Sequence, residues 1–229
     1  MGSMELYDRE YHSLVTWPPY RKESWLSRGY KAFKAWYNAP LVRSRVSLLL
    51  REIELAGAER ILEVGCGNGS VLESLNEALG EDIYVEGIDV AEAYAVSGRK
   101  PRIRQMDVAE MEYAEGSFDM VYCFHILEHV EDLSMALSEI TRVLVPGGRL
   151  VIISPLEIIR GSQAAIEAIL LKRCFFRGLK LSRELHRRVI RPLESRPTPF
   201  GTLALVKKKT LLATVFSPEL FMVYRKVSR

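Results

Sequence analysis

The feature that most constrains this chain is a short apolar run that ends in three closely spaced glycines. The run Arg60–Val64 leads into Gly65, Gly67 and Gly69, and residues 70–79 then follow a helical pattern. Glycine adopts positive φ angles at little cost, and it carries no Cβ that would keep a ligand away from the backbone. A glycine loop between a strand and a helix therefore predicts a ligand site at the edge of a parallel α/β sheet.

Strand and helix patterns continue to alternate beyond this loop. We expect further strands at residues 83–88, 102–106, 118–124 and 148–154, and helices at 70–79, 91–97 and 133–144. Such alternation implies parallel strands joined by right-handed crossovers. Residues 211–227 are expected to close the sheet as a hairpin, with residues 217–219 as its turn. The expected fold class is α/β: a Rossmann-like, doubly wound, mostly parallel sheet with an antiparallel C-terminal hairpin and helices on both faces.

The chain divides into two expected parts. Residues 1–57 are predicted to be a helical cap rich in aromatic residues, because all three tryptophans fall between residues 7 and 37. Apolar residues within 41–56 share one helical face, and Gly57 is expected to end that helix. Residues 58–229 are predicted to form the ligand-binding domain, with a basic helical insertion at about 156–209.

Composition excludes several other classes of protein. With 229 residues, 48% of them hydrophobic and 27% charged, the chain can build an ordinary globular core. No stretch reaches the roughly 18 apolar residues that a membrane span requires. The first residues do not resemble a secretory signal, and the three cysteines are too scattered for a disulfide framework. These features favour a cytoplasmic protein.

Three acidic residues around the loop indicate the kind of ligand. Asp89 lies at the end of the second strand, where a carboxylate can accept hydrogen bonds from the ribose hydroxyls of an adenosine. Dinucleotide enzymes share that geometry, but the spacing here is GxGxG and not GxGxxG. Glu63 precedes Gly65 by two residues, and an anion there suits a cationic ligand and would repel a pyrophosphate. Asp107 ends the third strand, where it could meet an adenine edge.

Taken in order, the segments ILEVGCGNGS, GIDV, QMDV, FDMVYCFHILEHV and RVLVPGGRLVI resemble the class I methyltransferase family in its type 11 branch. The resemblance covers residues 61–154 and implies a methyltransferase that uses S-adenosylmethionine. The cofactor-binding residues that it implies, together with their neighbours in the glycine loop, are Glu63, Gly65, Cys66, Gly67, Gly69, Asp89, Val90, Asp107, Val108 and Phe124.

The residues after the fourth strand carry the candidate chemistry. His125 is the candidate catalytic base or acceptor contact. The run from His125 to His129 also matches the HxxEH pattern of some zinc proteases, but its place directly after a strand favours local capping, and no metal is expected. A non-catalytic cofactor-binding scaffold on the same fold and an NAD-dependent oxidoreductase remain alternatives.

The sequence indicates less about the methyl acceptor than about the cofactor. Residues 160–209 hold 13 Lys and Arg against 3 Asp and Glu, and residues 173–191 fit a basic amphipathic helix. We expect a small-molecule or lipid-like acceptor, with an anionic substrate or a peripheral membrane surface contacting residues 173–191. No nucleic-acid-binding motif is present, so a nucleic acid is not expected. The pattern identifies neither the acceptor atom nor the oligomeric state.

Overall fold

A computed structural model of the protein describes residues 42–67, 69–90, 102–127, 130–155, 202–214 and 217–227. Several expected features lie outside these residues. They are the cap before residue 42, the helix at 91–97, Glu128 and His129 of the HxxEH run, and the insertion from 156 to 201, which includes the basic stretch 173–191.

The described strands form one mixed sheet. They are β1 (Arg60–Val64), β2 (Tyr84–Asp89), β3 (Arg102–Gln105), β4 (Phe118–Phe124), β5 (Leu144–Pro155), β6 (Leu203–Thr214) and β7 (Ser217–Lys226). Their order across the sheet is β3-β2-β1-β4-β5-β7-β6. β1 to β5 pair in parallel, whereas β7 lies antiparallel between β5 and β6. The expected α/β class with an antiparallel closing hairpin is confirmed.

Helices cover both faces of the sheet, as expected. Helix α1 (residues 42–56) and helix α2 (Ser70–Leu79) pack on one face, and helix α3 (Leu133–Val143) packs on the other. In α1, Val46, Leu49 and Ile53 are buried, and their spacing places them on the side that meets the sheet. No helix within the described residues is long and apolar enough to cross a membrane.

The expected end of the basic insertion was wrong. Residues 203–209 belong to β6, which pairs with β7 from Leu203 onward. The basic insertion was expected to be helical up to about residue 209, but lysines also suit a strand at the edge of a sheet, where they discourage pairing with other chains. Lys207 places its Nζ atom 2.6 Å from a carboxylate oxygen of Glu52 in α1, so one of these charges ties the edge strand to the helix above it.

The sheet topology decides which residues can meet at the functional edge. The carboxyl ends of β1, β2, β4 and β5 lie together at one edge, because these strands are parallel. β7 runs the opposite way, so its beginning reaches the same edge: Glu219 pairs with Pro155 at the end of β5. Residues near 64, 89, 124, 155 and 219 therefore border one region, although the chain separates them widely.

Candidate active site

The glycine loop after β1 has the backbone that its sequence predicts. The φ angles of this loop are positive: 72° at Gly65, 53° at Gly67 and 73° at Gly69. Residues that carry a Cβ disfavour this region of backbone conformation. A Cβ on Gly65 would lie 2.4 Å from Cγ1 of Ile126, so this glycine is also required for packing against the end of β4. A Cβ on Gly67 would meet no atom within 4 Å. The outer side of the loop is therefore open.

Asp89 lies directly against this loop. Its Oδ2 atom accepts a hydrogen bond of 2.8 Å from the backbone N–H of Gly67. The contact fixes a carboxylate at the mouth of the loop, at the end of β2, where the sequence predicted an acid for a ribose. The short distance between the end of β2 and the loop after β1 follows from the parallel pairing of these two neighbouring strands.

Glu63 lies beneath the loop and is almost fully buried, with 3% of its surface exposed. Its Oε2 atom accepts a hydrogen bond of 2.9 Å from the hydroxyl of Tyr122 on β4. Burial, reinforced by the negative charge of Asp89, raises the pKa of Glu63 to about 8, although the Tyr122 hydrogen bond opposes the rise. The sequence predicted an anion here. In the protein alone, burial instead favours the protonated acid at neutral pH, and a cation nearby would reverse that preference.

Cys66 is a packing residue of the loop. A Cβ on Gly87 in β2 would meet Cβ and Sγ of Cys66 at 2.9 Å each, so the small residue in β2 accommodates the thiol. Burial and the nearby carboxylate of Glu63 raise the pKa of Cys66 far above its usual range. This environment suppresses the thiolate, which is the nucleophilic form.

The residues predicted near the adenine are held by local contacts. The exposed Asp107 accepts a hydrogen bond of 2.8 Å from the backbone of Ala109 and closes its own turn. Val108 is buried in the same cluster as Val64 and Ile88. Val90 is 57% exposed, and its carbonyl accepts from the side chain of Gln105. Contact between these residues and an adenine remains a prediction.

The end of β4 brings a buried aromatic residue and a histidine with a positive φ to this edge. Phe124 is buried with its ring centroid 5.1 Å from that of Tyr122. His125 follows it with φ 54°, and among the described residues no other non-glycine residue has a positive φ. Such strain in a non-glycine residue costs about 1–3 kcal/mol and is often found at functional sites.

Two residues that the sequence did not single out converge on His125. Nε2 of His125 lies 2.7 Å from Oε1 of Glu219, and Nη2 of Arg45 lies 2.5 Å from the same oxygen. Arg45 comes from α1, His125 from the end of β4 and Glu219 from the beginning of β7. We call these three residues the histidine–glutamate–arginine cluster. The predicted hairpin was the sole sequence signal for Glu219, and it placed that residue in the turn and not in the strand.

Residues 62–152 match the family model described as a methyltransferase domain. Over these residues the chain is similar to class I methyltransferases of type 11. The matched range runs from β1 to β5 and so includes the glycine loop, Asp89, Asp107 and His125. S-adenosylmethionine is the methyl donor that this family uses.

Related sequences cover more of the chain than the methyltransferase domain does. An uncharacterized 37.1 kDa protein in transposon TN4556 from Streptomyces fradiae is 31% identical over 159 residues, which are 66% of this chain and 46% of that protein. A ubiquinone biosynthesis O-methyltransferase from Dechloromonas aromatica is 33% identical over 111 residues, 46% of this chain and 47% of that protein. The chain spans about half the length of these curated relatives where it matches them.

A solved structure is similar in fold to nearly all of this chain. The plantazolicin methyltransferase BpumL, in complex with a monoazolic desmethylPZN analog and SAH, matches with a TM-score of 0.65 at 14% identity, over 98% of this chain and 96% of that one. At this identity the likeness shows a shared fold. The substrate analog in that complex describes BpumL and does not identify a substrate of this chain.

The loop region fits a cationic nucleoside donor. The open side of Gly67 leaves room for a ligand against the backbone, and the carboxylate of Asp89 borders that space. Glu63 supplies a second acid below the loop. The carboxylate of Asp89 disfavours a pyrophosphate, and a sulfonium or ammonium group beside Glu63 would stabilise the ionised form of that acid.

Proposed function

We propose that this protein transfers a methyl group from S-adenosylmethionine to a small or amphipathic acceptor at the carboxyl edge of its sheet. The observation that carries the proposal is the pairing of Asp89 with the backbone of Gly67 at 2.8 Å, above the buried acid Glu63. This arrangement places a carboxylate that complements a nucleoside close to an acid that complements a cation.

Each residue has a defined part in binding the donor. Asp89 would accept hydrogen bonds from the ribose hydroxyls, because its carboxylate borders the open side of the loop. The loop backbone at Gly65 and Gly67 would contact the methionine part of the donor. Glu63 lies beneath that part, and an adjacent cation would stabilise its ionised form.

The bound donor supplies a methyl group that the sulfonium has already activated. The protein's own contribution is to hold the acceptor in line with that methyl and to keep water away. His125 borders the same edge at the end of β4, within one residue of Phe124. It is the proposed contact to the reacting atom of the acceptor.

Some support for a small acceptor comes from the relatives. The curated relative from Dechloromonas aromatica acts in ubiquinone biosynthesis as an O-methyltransferase. We propose that the acceptor of this protein is also a small molecule. Residues 173–191 would contribute to its binding site, as the sequence predicts.

A transfer screen with methyl-labelled donor tests the proposal. Purified protein is incubated with labelled S-adenosylmethionine and, separately, with metabolite, lipid and RNA extracts. We expect label in the metabolite or lipid pool, and we expect Asp89→Ala to abolish most of it. Label in no pool, from a protein that binds the donor, would instead indicate a non-catalytic cofactor-binding module.

A further inference from the structure

The histidine–glutamate–arginine cluster joins three distant parts of the chain around one oxygen atom. Oε1 of Glu219 lies 2.7 Å from Nε2 of His125 and 2.5 Å from Nη2 of Arg45. The carboxyl side chain is 4% exposed, whereas 25% of the histidine side chain is exposed. The buried carboxyl group of Glu219 therefore contacts one nitrogen of the His125 ring, and the exposed part of the ring remains accessible to solvent or to an acceptor.

The distances decide which ring nitrogen carries the proton. An ionised carboxylate can accept hydrogen bonds but cannot donate them, so a lone pair on Nε2 at 2.7 Å would repel it. Nη2 of Arg45 also lies 3.2 Å from Nε2, yet Arg45 donates to the same Oε1 at a shorter distance. The arrangement that satisfies both short contacts has a proton on Nε2 that is donated to Glu219.

The charge balance keeps Glu219 in its ionised form. Burial alone would raise the pKa of this carboxyl, but the hydrogen bond from His125, the positive charge that this ring carries when it is protonated and the charge of Arg45 hold the pKa below its usual value. Arg45 also lies with its guanidinium carbon 5.8 Å from the centroid of the Phe124 ring. The arginine is thus held between the ring and the carboxylate.

With Nε2 protonated, Nδ1 is the basic nitrogen of the neutral ring. The hydrogen bonds of the His125 side chain within the described residues all run through Nε2, which leaves Nδ1 for another partner. The strained φ of 54° at His125 shows that the chain holds this residue in a conformation that the backbone alone disfavours. A carboxylate that orients a histidine and stabilises its charged form is a recurring arrangement in general-base catalysis.

We propose that Glu219 is a positioning residue, which holds Nε2–H of His125 so that Nδ1 takes a proton from the acceptor. This inference rests on the proposed methyl transfer and names its substrate class: an acceptor whose reacting oxygen or nitrogen carries a proton. The acceptor's O–H or N–H bond breaks and its proton passes to Nδ1. The acceptor atom forms the bond to the methyl carbon, the sulfur–methyl bond breaks, and its electron pair stays on the sulfur as a neutral thioether.

Side-chain nitrogen NMR on the whole protein tests the position of the proton. The chain has four histidines, so the spectrum of His125→Gln identifies the signals of His125 by their absence. We expect the neutral Nε2–H tautomer in the wild type. We expect Glu219→Gln to retain it, because the amide oxygen still accepts, and Glu219→Met to lose it.

Removing Glu219 alone leaves Arg45 without an acidic partner among the described residues, and that variant can fail to fold. The double variant Arg45→Met with Glu219→Met removes both charges together and keeps the measurement available. Glu52→Gln is the matched control, because Glu52 is also a buried glutamate bound by two cations, Arg149 at 2.7 Å and Lys207 at 2.6 Å. It should leave the His125 signals unchanged.

Turnover on the labelled pool gives a second readout. Glu219→Gln should lower kcat by about tenfold or more, since the lost charge no longer stabilises the protonated ring, and it should leave the KM for the donor within about threefold. An Nδ1–H tautomer in the wild type, or a double variant that keeps the kcat of the wild type, would overturn the assignment of Glu219. Failure of the wild type to bind S-adenosylhomocysteine in calorimetry would overturn methyl transfer instead, whatever the tautomer.

Discussion

The glycine loop and the histidine–glutamate–arginine cluster lie at the same edge of the sheet, but they are assembled in opposite ways. The loop uses residues within 63–69 and one acid on the neighbouring strand, and its contacts are mostly backbone. The cluster joins residues 45, 125 and 219 through side chains alone. A local backbone site suits a ligand that the whole family shares, whereas a cluster of distant side chains can change with the acceptor.

The largest expected effect comes from the loop. Gly65→Ala should reduce the free energy of unfolding by about 2–5 kcal/mol, because it combines a positive φ with a contact of 2.4 Å to Ile126. Urea unfolding followed by circular dichroism measures it. Gly57→Ala is the control, with φ 58° and no atom within 4 Å of its Cβ, and it should cost about 1–2 kcal/mol.

Shortening the neighbouring side chain sharpens that comparison. In the double variant Gly65→Ala with Ile126→Ala, part of the loss caused by the Gly65 change should be recovered, since the contacts with Cγ1 and Cδ1 are gone, while the contact of 2.6 Å with Cβ of residue 126 and the positive φ remain. Equal losses for Gly65→Ala and Gly57→Ala would show that packing against β4 does not require the glycine, and the loop would then be defined by backbone conformation alone.

The buried acid beneath the loop gives a pH-dependent effect. The pKa of Glu63 is about 8 in the folded protein and 4.5 in the unfolded chain, so the folded state holds the proton more tightly. Stability should therefore fall as pH rises from about 4.5 to about 8, by up to about 1.4 kcal/mol per pH unit. Glu63→Gln removes this dependence.

The measurement compares the unfolding free energies of Glu63→Gln and the wild type from pH 4 to pH 9. We expect the difference to be constant below pH 4.5, to shift in favour of the variant between pH 4.5 and 8, and to level off above. A difference that stays constant across the whole range would mean that Glu63 is ionised in the folded protein, as the sequence first suggested.

Binding of the donor gives the smallest of these effects. Asp89→Ala should weaken S-adenosylhomocysteine at least tenfold, or about 1.4 kcal/mol, because hydrogen bonds to a charged acceptor contribute about 1.5–3 kcal/mol each. Asp119→Ala is the control: this acid also accepts backbone hydrogen bonds, from Glu59 and Arg60 at the start of β1. It should leave affinity within about threefold, and equal weakening in both variants would mean that the ribose lies elsewhere.

The same contrast explains how much the sequence could predict. Hydrophobic periodicity placed the helix Ser70–Leu79 and the strand Phe118–Phe124 at their observed bounds. The glycines identified the loop because the ability to adopt positive φ angles is a property of glycine itself and does not depend on contacts with distant residues. The beginning of β6 at Leu203 was missed, since its lysines resemble a solvated helix face and only pairing with β7 identifies it as a strand.

The cluster could not be predicted because nothing local distinguishes its members. Glu219 follows a proline in what the sequence presents as a turn, and Arg45 is one of several basic residues on α1. Their meeting depends on β7 lying antiparallel beside β5 and on α1 covering the same face. The protonation of Glu63 was also missed, because a carboxyl's preference depends on a burial that the sequence does not display.

The central claim is that the acids around the glycine loop select a cationic methyl donor over a dinucleotide. Isothermal titration calorimetry of the purified protein with S-adenosylmethionine, and in parallel with NAD, tests it most directly. The account predicts micromolar binding of S-adenosylmethionine and no measurable binding of NAD under the same conditions. Micromolar binding of NAD with no signal from S-adenosylmethionine would contradict it.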